Sequence, residues 1–184
     1  MSNLTLEKAK EILKKHTTET HLFTHAAAVS AAMGAMAEYF GADKEHWAAI
    51  GYLHDVDFEK FPEEHCQHVR ELLEPEGVSD EDIETIISHA YGLHPVNVKP
   101  TTDCQKSLYA VDELTGIVHA YSLMRPEKFD GMSVKSLKKK FKDKRFAAKC
   151  NREVITQGAE NLNMPLDKLM ELCIKGMSEH AEEF

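Results

Sequence analysis

The sequence predicts an all-α fold, a single-domain helical bundle spanning residues 1–184. Three observations carry that prediction. Strong helix formers dominate the chain, apolar residues recur at steps of three and four, and no alternating β-branched run interrupts them. With 184 residues the chain is long enough for one sizeable core, and nothing in its length requires two.

The first helix is predicted over 5–16, with Leu6, Ala9, Ile12 and Leu13 on one face. A longer one over 19–40 carries Leu22, Ala26, Val29, Met33, Met36 and Phe40 as a buried stripe and stops at Gly41, a residue free to adopt left-handed backbone. Asp43 caps a third helix that holds Trp47, Ile50 and Leu53 and runs into His54-Asp55. After a connection over 57–61, Pro62 opens a fourth helix, with Glu63 and Glu64 at its positive end, which stops before Pro75 and Gly77.

Ser79 and Asp82 resemble a capping box with Asp in place of Glu, opening a helix through Ile83, Ile86 and Ile87 to His89. Gly92, Pro95 and Pro100 make 91–102 a loop. The helix predicted over 103–123 is the most apolar, so it belongs at the centre. An Asp130-Gly131 turn then precedes a basic amphipathic segment over 135–149. Asn151 and Pro165 open two closing helices, over 152–162 and 165–177.

A hydrophobic fraction of 42% with 29% charged residues suits a soluble protein, and no apolar run is long enough to span a membrane. The polar, charged first fifteen residues contain no secretory apolar region, so a cytoplasmic location is expected. Four separated cysteines without C-x-x-C argue against a disulfide framework and a thiolate zinc site, and reduced thiols are expected. A net charge of -9 disfavours nucleic-acid polymers as partners. Oligomeric state is not encoded in any of these features.

Helical spacing sorts the polar residues. His25 lies three after Leu22 and four before Val29, His54 lies four after Ile50, and Asp112 lies four after Leu108. Taken singly, an inward histidine is more often a hydrogen-bonded core residue than a ligand. Taken together, two imidazoles and the carboxylates of Asp55 and Asp112 on inward faces, with no arginine in those helices to neutralise the acids, point to a divalent metal. His65 and His89 follow on the next two helices and can converge on the same pocket. His68 is the alternative to His65, and His21 to His25. His16, His46 and His180 sit in polar contexts that suggest solvation, while His94 and His119 are left unassigned.

The segments His25-Ala26-Ala27-Ala28-Val29, Gly51-Tyr52-Leu53-His54-Asp55 and Ala110-Val111-Asp112-Glu113-Leu114 resemble the HD superfamily of metal-dependent phosphohydrolases over residues 22–124. The resemblance implies an HD-type core at 19–124 and a C-terminal helical extension at 125–184. It also implies that His25, His54, Asp55 and Asp112 hold one ion, with His65 and His89 holding a second and Asp55 bridging. A carboxylate has two oxygens and suits that bridge. Mixed imidazole and carboxylate ligation favours iron or manganese, with zinc, cobalt and nickel possible.

The function expected from this resemblance is hydrolysis of a phosphate ester of a nucleotide or another small phosphorylated metabolite by metal-activated water. Asp55 is then catalytic, and Asp57 is either an orienter or proton carrier or a turn residue. Lys138, Lys142 and Arg145 in the basic segment are candidates to pair with substrate phosphate, unless that run is a solvated face. Two other functions fit the same residues: a di-iron oxygenase of the same superfamily, and a noncatalytic metal-containing binding module.

Overall fold

The computed structural model describes residues 3–184; Met1 and Ser2, part of the N-terminal stretch considered above, lie outside the described residues. Among the described residues the regular elements are all helical: α1 (Leu6–His16), α2 (Thr20–Phe40), α3 (Lys44–Leu53), α4 (Val69–Leu73), α5 (Asp80–Ser88), α6 (Asp103–Met124), α7 (Val134–Lys142), α8 (Arg152–Asn161) and α9 (Leu166–Glu179). The all-α expectation holds. Thr5, Asp43, Ser79, Thr102, Ser133 and Asn151 each cap a helix by accepting a backbone N–H on the side chain. Each such cap contributes about 1 kcal/mol.

Helix α2 differs from its predicted single stripe, because every residue from Ala26 to Ala37 is buried. Its alanines let α3, α6 and α9 approach on different sides. It shares the centre of the fold with α6, whose buried residues run from Gln105 to Ser122. Helix α3 lies so close to α2 that a Cβ on Gly51 would stand 2.9 Å from the Val29 carbonyl oxygen and 3.0 Å from Ser30 Cα. That approach sets His54, one turn further on, beside His25. Helix α8 packs on α6 by the same device, where a Cβ on Gly158 would come within 2.5 Å of Ala110 Cα.

The fourth predicted helix is broken. Pro62–Glu64 form one 3-10 turn, residues 65–68 are irregular, and α4 begins only at Val69. The cause is Asp57, which is fully buried and accepts both the His65 Nδ1–H at 2.9 Å and the His68 backbone N–H at 3.1 Å. These bonds hold the chain away from helical geometry, and Cys66 takes φ +69° within the bend. The basic segment also departs from expectation: α7 ends at Lys142 and the chain then turns. The Arg152 guanidinium donates to the carbonyls of Phe141 at 3.1 Å, Ala147 at 2.7 Å and Cys150 at 3.1 Å, satisfying that turn internally.

His46, expected to be solvated, instead joins α3 to α5 through a 2.7 Å bond between Nε2 and Asp82 Oδ1. Hydrogen bonding to Asp82 raises its pKa, against the opposing effect of burial. A raised folded-state value makes this contribution full below the unfolded value, near pH 6.5, and loses it as pH rises through the folded value. A charge-assisted bond of this kind is worth about 1.5–3 kcal/mol. The melting-temperature gap between wild type and His46→Ala is therefore expected to be widest below pH 6.5 and to narrow in alkaline buffer. A gap independent of pH would contradict the ion pair.

Candidate metal centre

Five separate parts of the fold deliver the site. Helix α2 carries His25, His54 caps the C-terminus of α3, and Asp55 follows in the next turn. The irregular segment after the 3-10 turn supplies His65, His89 caps the C-terminus of α5, and α6 carries Asp112. Hence all six predicted metal ligands meet in space.

Asp55 divides the cluster. Its Oδ2 stands 3.3 Å from His54 Nε2 and 3.5 Å from His25 Nε2, while its Oδ1 stands 3.1 Å from His65 Nε2 and 3.5 Å from His89 Nε2. Asp112 Oδ1 completes the first half, 2.9 Å from His25 Nε2 and 3.1 Å from His54 Nε2. Donors about 2.1 Å from a shared ion stand roughly 3.0–3.4 Å apart in octahedral or tetrahedral arrangements. The observed separations, 2.9–3.5 Å, match that spacing to within about 0.1 Å.

Three rings are held from behind. His54 Nδ1–H donates to the Gly51 carbonyl at 2.7 Å, His89 Nδ1–H to the Ile86 carbonyl at 2.6 Å, and His65 Nδ1–H to Asp57 Oδ1 at 2.9 Å. A ring whose Nδ1 carries the hydrogen presents a lone pair at Nε2 when neutral. Yet His65 Nε2 faces His89 Nε2 at 3.1 Å, whereas His25 Nε2 can donate to Asp112 Oδ1 at 2.9 Å. Opposed lone pairs repel unless a cation or a proton lies between them, so the donor set fits bound metal.

The electrostatics agree. Burial disfavours a charged His54, but Asp55 and Asp112 outweigh it and raise the pKa to about 10. His65 is likewise lifted to about 10 against burial by Asp55 and Asp57, and His89 to about 10 by Cys66 and Asp55. Burial would raise the Asp112 carboxyl, but His54 and His25 hold it far below the ordinary carboxylate range. The cluster therefore demands positive charge, which a divalent cation can supply in place of protons.

A cavity of about 240 Å³ opens onto the cluster, with His25, Asp55, His65, His89 and Asp112 in its wall. His54 lies beneath, fully buried. Phe58, Leu93, His94 and Glu113 line the remainder. Glu113 has its carboxyl pKa raised by burial and by the neighbouring Asp112 charge. His94, left unassigned by spacing, lies with its ring centroid 5.4 Å from that of His65, and burial lowers its pKa. His68 faces away, stacked on Phe61 and bonded to Glu64 and Glu71.

The three proposed phosphate-binding cations do not line this cavity. Lys138 pairs with Asp167 at 2.7 Å, Lys142 is exposed, and the Arg145 side chain is 98% exposed beside Asp143. Helix α7 buries Leu137, leaves Lys135, Lys139 and Lys142 exposed, and holds Lys138 and Lys140 half-buried. A larger cavity of about 600 Å³ shares the turn around residue 91 and contains Lys99, Lys106, Tyr91 and Tyr109. Tyr109 precedes Asp112 by three residues on the same helix, a spacing that could have drawn attention to it.

A family model described as HD domain matches residues 22–117, just over half the chain. No curated protein and no solved structure gives a match. No helix among the described residues is long and apolar enough to cross a membrane.

Proposed function

The chain belongs to the HD domain family, whose members are mostly metal-dependent hydrolases, and on that premise we propose that it hydrolyses a small phosphate ester using two metal ions. The observation that carries this reading is the division of Asp55, with one oxygen toward His25 and His54 and the other toward His65 and His89. When bound, such ions lower the pKa of a coordinated water from about 15.7 toward roughly 7 and offset charge on the phosphoryl group. Iron or manganese suits the imidazole and carboxylate donors, and zinc, cobalt or nickel can also occupy them.

The chain's own residues supply position and exclusion. Asp57 acts here by orienting the His65 ring, since its carboxylate is enclosed and already engaged by two N–H donors. Glu113 stands at the cavity wall, where its carboxyl can carry a proton to the departing oxygen. Phe58 and Leu93 form an apolar rim that limits water. A cavity of about 240 Å³ admits a phosphate with little beside it, so the rest of the substrate extends outward. Lys99 and Lys106 in the neighbouring cavity can meet further negative charge, and Tyr91 and Tyr109 can cover a ring.

Anaerobically purified protein is expected to release phosphate from members of a panel of phosphomonoesters and nucleotides, and His54→Ala is expected to release none. Equal turnover by that variant would overturn the metal mechanism. Oxygen uptake on substrate addition, without phosphate, would assign the oxygenase reaction instead. Thermal stabilisation by a ligand with no product would assign the binding module.

A further inference from the structure

We propose that Lys99 and Lys106 select phosphate esters whose alcohol portion carries a second negative charge, so that the substrate is a doubly anionic compound lying across two adjoining cavities. The inference rests on the hydrolytic reading above and deepens it by naming a substrate class. The metal cavity of about 240 Å³ holds little beyond a phosphate, so the alcohol portion extends out of it. Helix α6 leads from that cavity to the next. Glu113 lines the first, while Tyr109 and Lys106, four and seven residues before it on the same helical face, line the second, of about 600 Å³. Seven residues of helix separate Glu113 from Lys106 by about 10 Å. The turn after α5 borders both spaces, giving Ala90 and Leu93 to the first and Tyr91 and Gly92 to the second.

The second cavity has a charge opposite to that of the whole chain. Net charge is -9, yet two lysines and no carboxylate line this space. Among the described residues, neither ammonium has an ion-pair partner within the protein. Two unopposed positive charges raise the local affinity for an anion. The far wall is neutral, because α8 contributes Gln157 and Asn161, whose side chains are bonded to each other at 2.8 Å. Close packing of Gly158 on Ala110 holds that wall against α6. Helix α8 lies beyond residues 22–117, so the second cavity is completed by a helix that the HD domain match does not include.

A matched pair of aryl esters tests this. 4-Carboxyphenyl phosphate and 4-carbamoylphenyl phosphate share a shape and differ by one charge, and the flexible four-carbon stem of Lys106 lets its ammonium approach that charge. Manganese-loaded wild type is expected to favour the carboxylate about 10-fold in kcat/KM, through KM, and the preference is expected to shrink as salt rises. In the Lys99→Met/Lys106→Met double variant, with folding checked by circular dichroism, the ratio between the two esters is expected to fall to about one. A preference that is absent from wild type, survives in the double variant or arises in kcat alone overturns the selectivity, while the release of phosphate leaves the hydrolytic reading standing. Phosphate released from the broader panel of esters but from neither of this pair also overturns the selectivity alone. No release from any ester overturns both.

Discussion

Asp55→Ala is expected to leave the protein without metal at either position and to slow phosphate release by at least about 100-fold, the upper loss seen when a mere supporting partner of a ligand is removed. The reason is geometric: both Asp55 oxygens are in use, each facing two imidazole nitrogens at 3.1–3.5 Å. Asp112 does not duplicate these contacts: its ion-pair distances of 2.9 and 3.1 Å are to His25 and His54. Asp112→Ala is accordingly expected to empty one position and spare the other. Elemental analysis separates the two variants. A metal at 100 times its dissociation constant stabilises a folded protein by about 2.7 kcal/mol, so wild type should melt higher with metal and Asp55→Ala should not respond. The fold should survive, because imidazoles deprived of their counterion can shed protons. Two retained ions in Asp55→Ala would contradict the bridge.

Asp57→Asn is expected to weaken the second ion about 10–100-fold, or roughly 1.4–2.8 kcal/mol, while leaving the first unchanged. The side chain keeps its size but loses its charge and one acceptor oxygen. Either the His65 Nδ1–H or the His68 backbone N–H then faces an amide N–H. His65 is freed to rotate, and its Nε2 no longer points reliably at Asp55. Metal titrations that resolve two affinities check this. Equal weakening at both positions, or a lower melting temperature with both affinities intact, would make Asp57 a structural turn residue only.

These two variants also mark what could be read from the chain and what could not. His25, His54 and Asp112 were visible because they fall in step with apolar neighbours on long, regular helices, and α2, α3 and α6 form as that spacing requires. His65 was named on the wrong premise. Pro62-Glu63-Glu64 has the composition of a helix start, but the buried Asp57, eight residues before His65, bends the chain out of helix and thereby aims the ring. Short-range propensity contains no such information, because the decisive bond is tertiary. His46 was misread because its partner Asp82 lies two helices away. The lysines of α7 drew attention through their number, although Val134, Leu137 and Phe141, packed on the core, decide which way that helix faces.

The most direct measurement is anomalous X-ray diffraction from crystals grown anaerobically with Fe(II) or Mn(II), read at the absorption edge of the metal. The geometry of Asp55 predicts two anomalous peaks about 3.5–4 Å apart, one toward His25, His54 and Asp112 and one toward His65 and His89. A single peak confined to one side of Asp55, or metal bound only elsewhere on the protein, would contradict the two-ion centre.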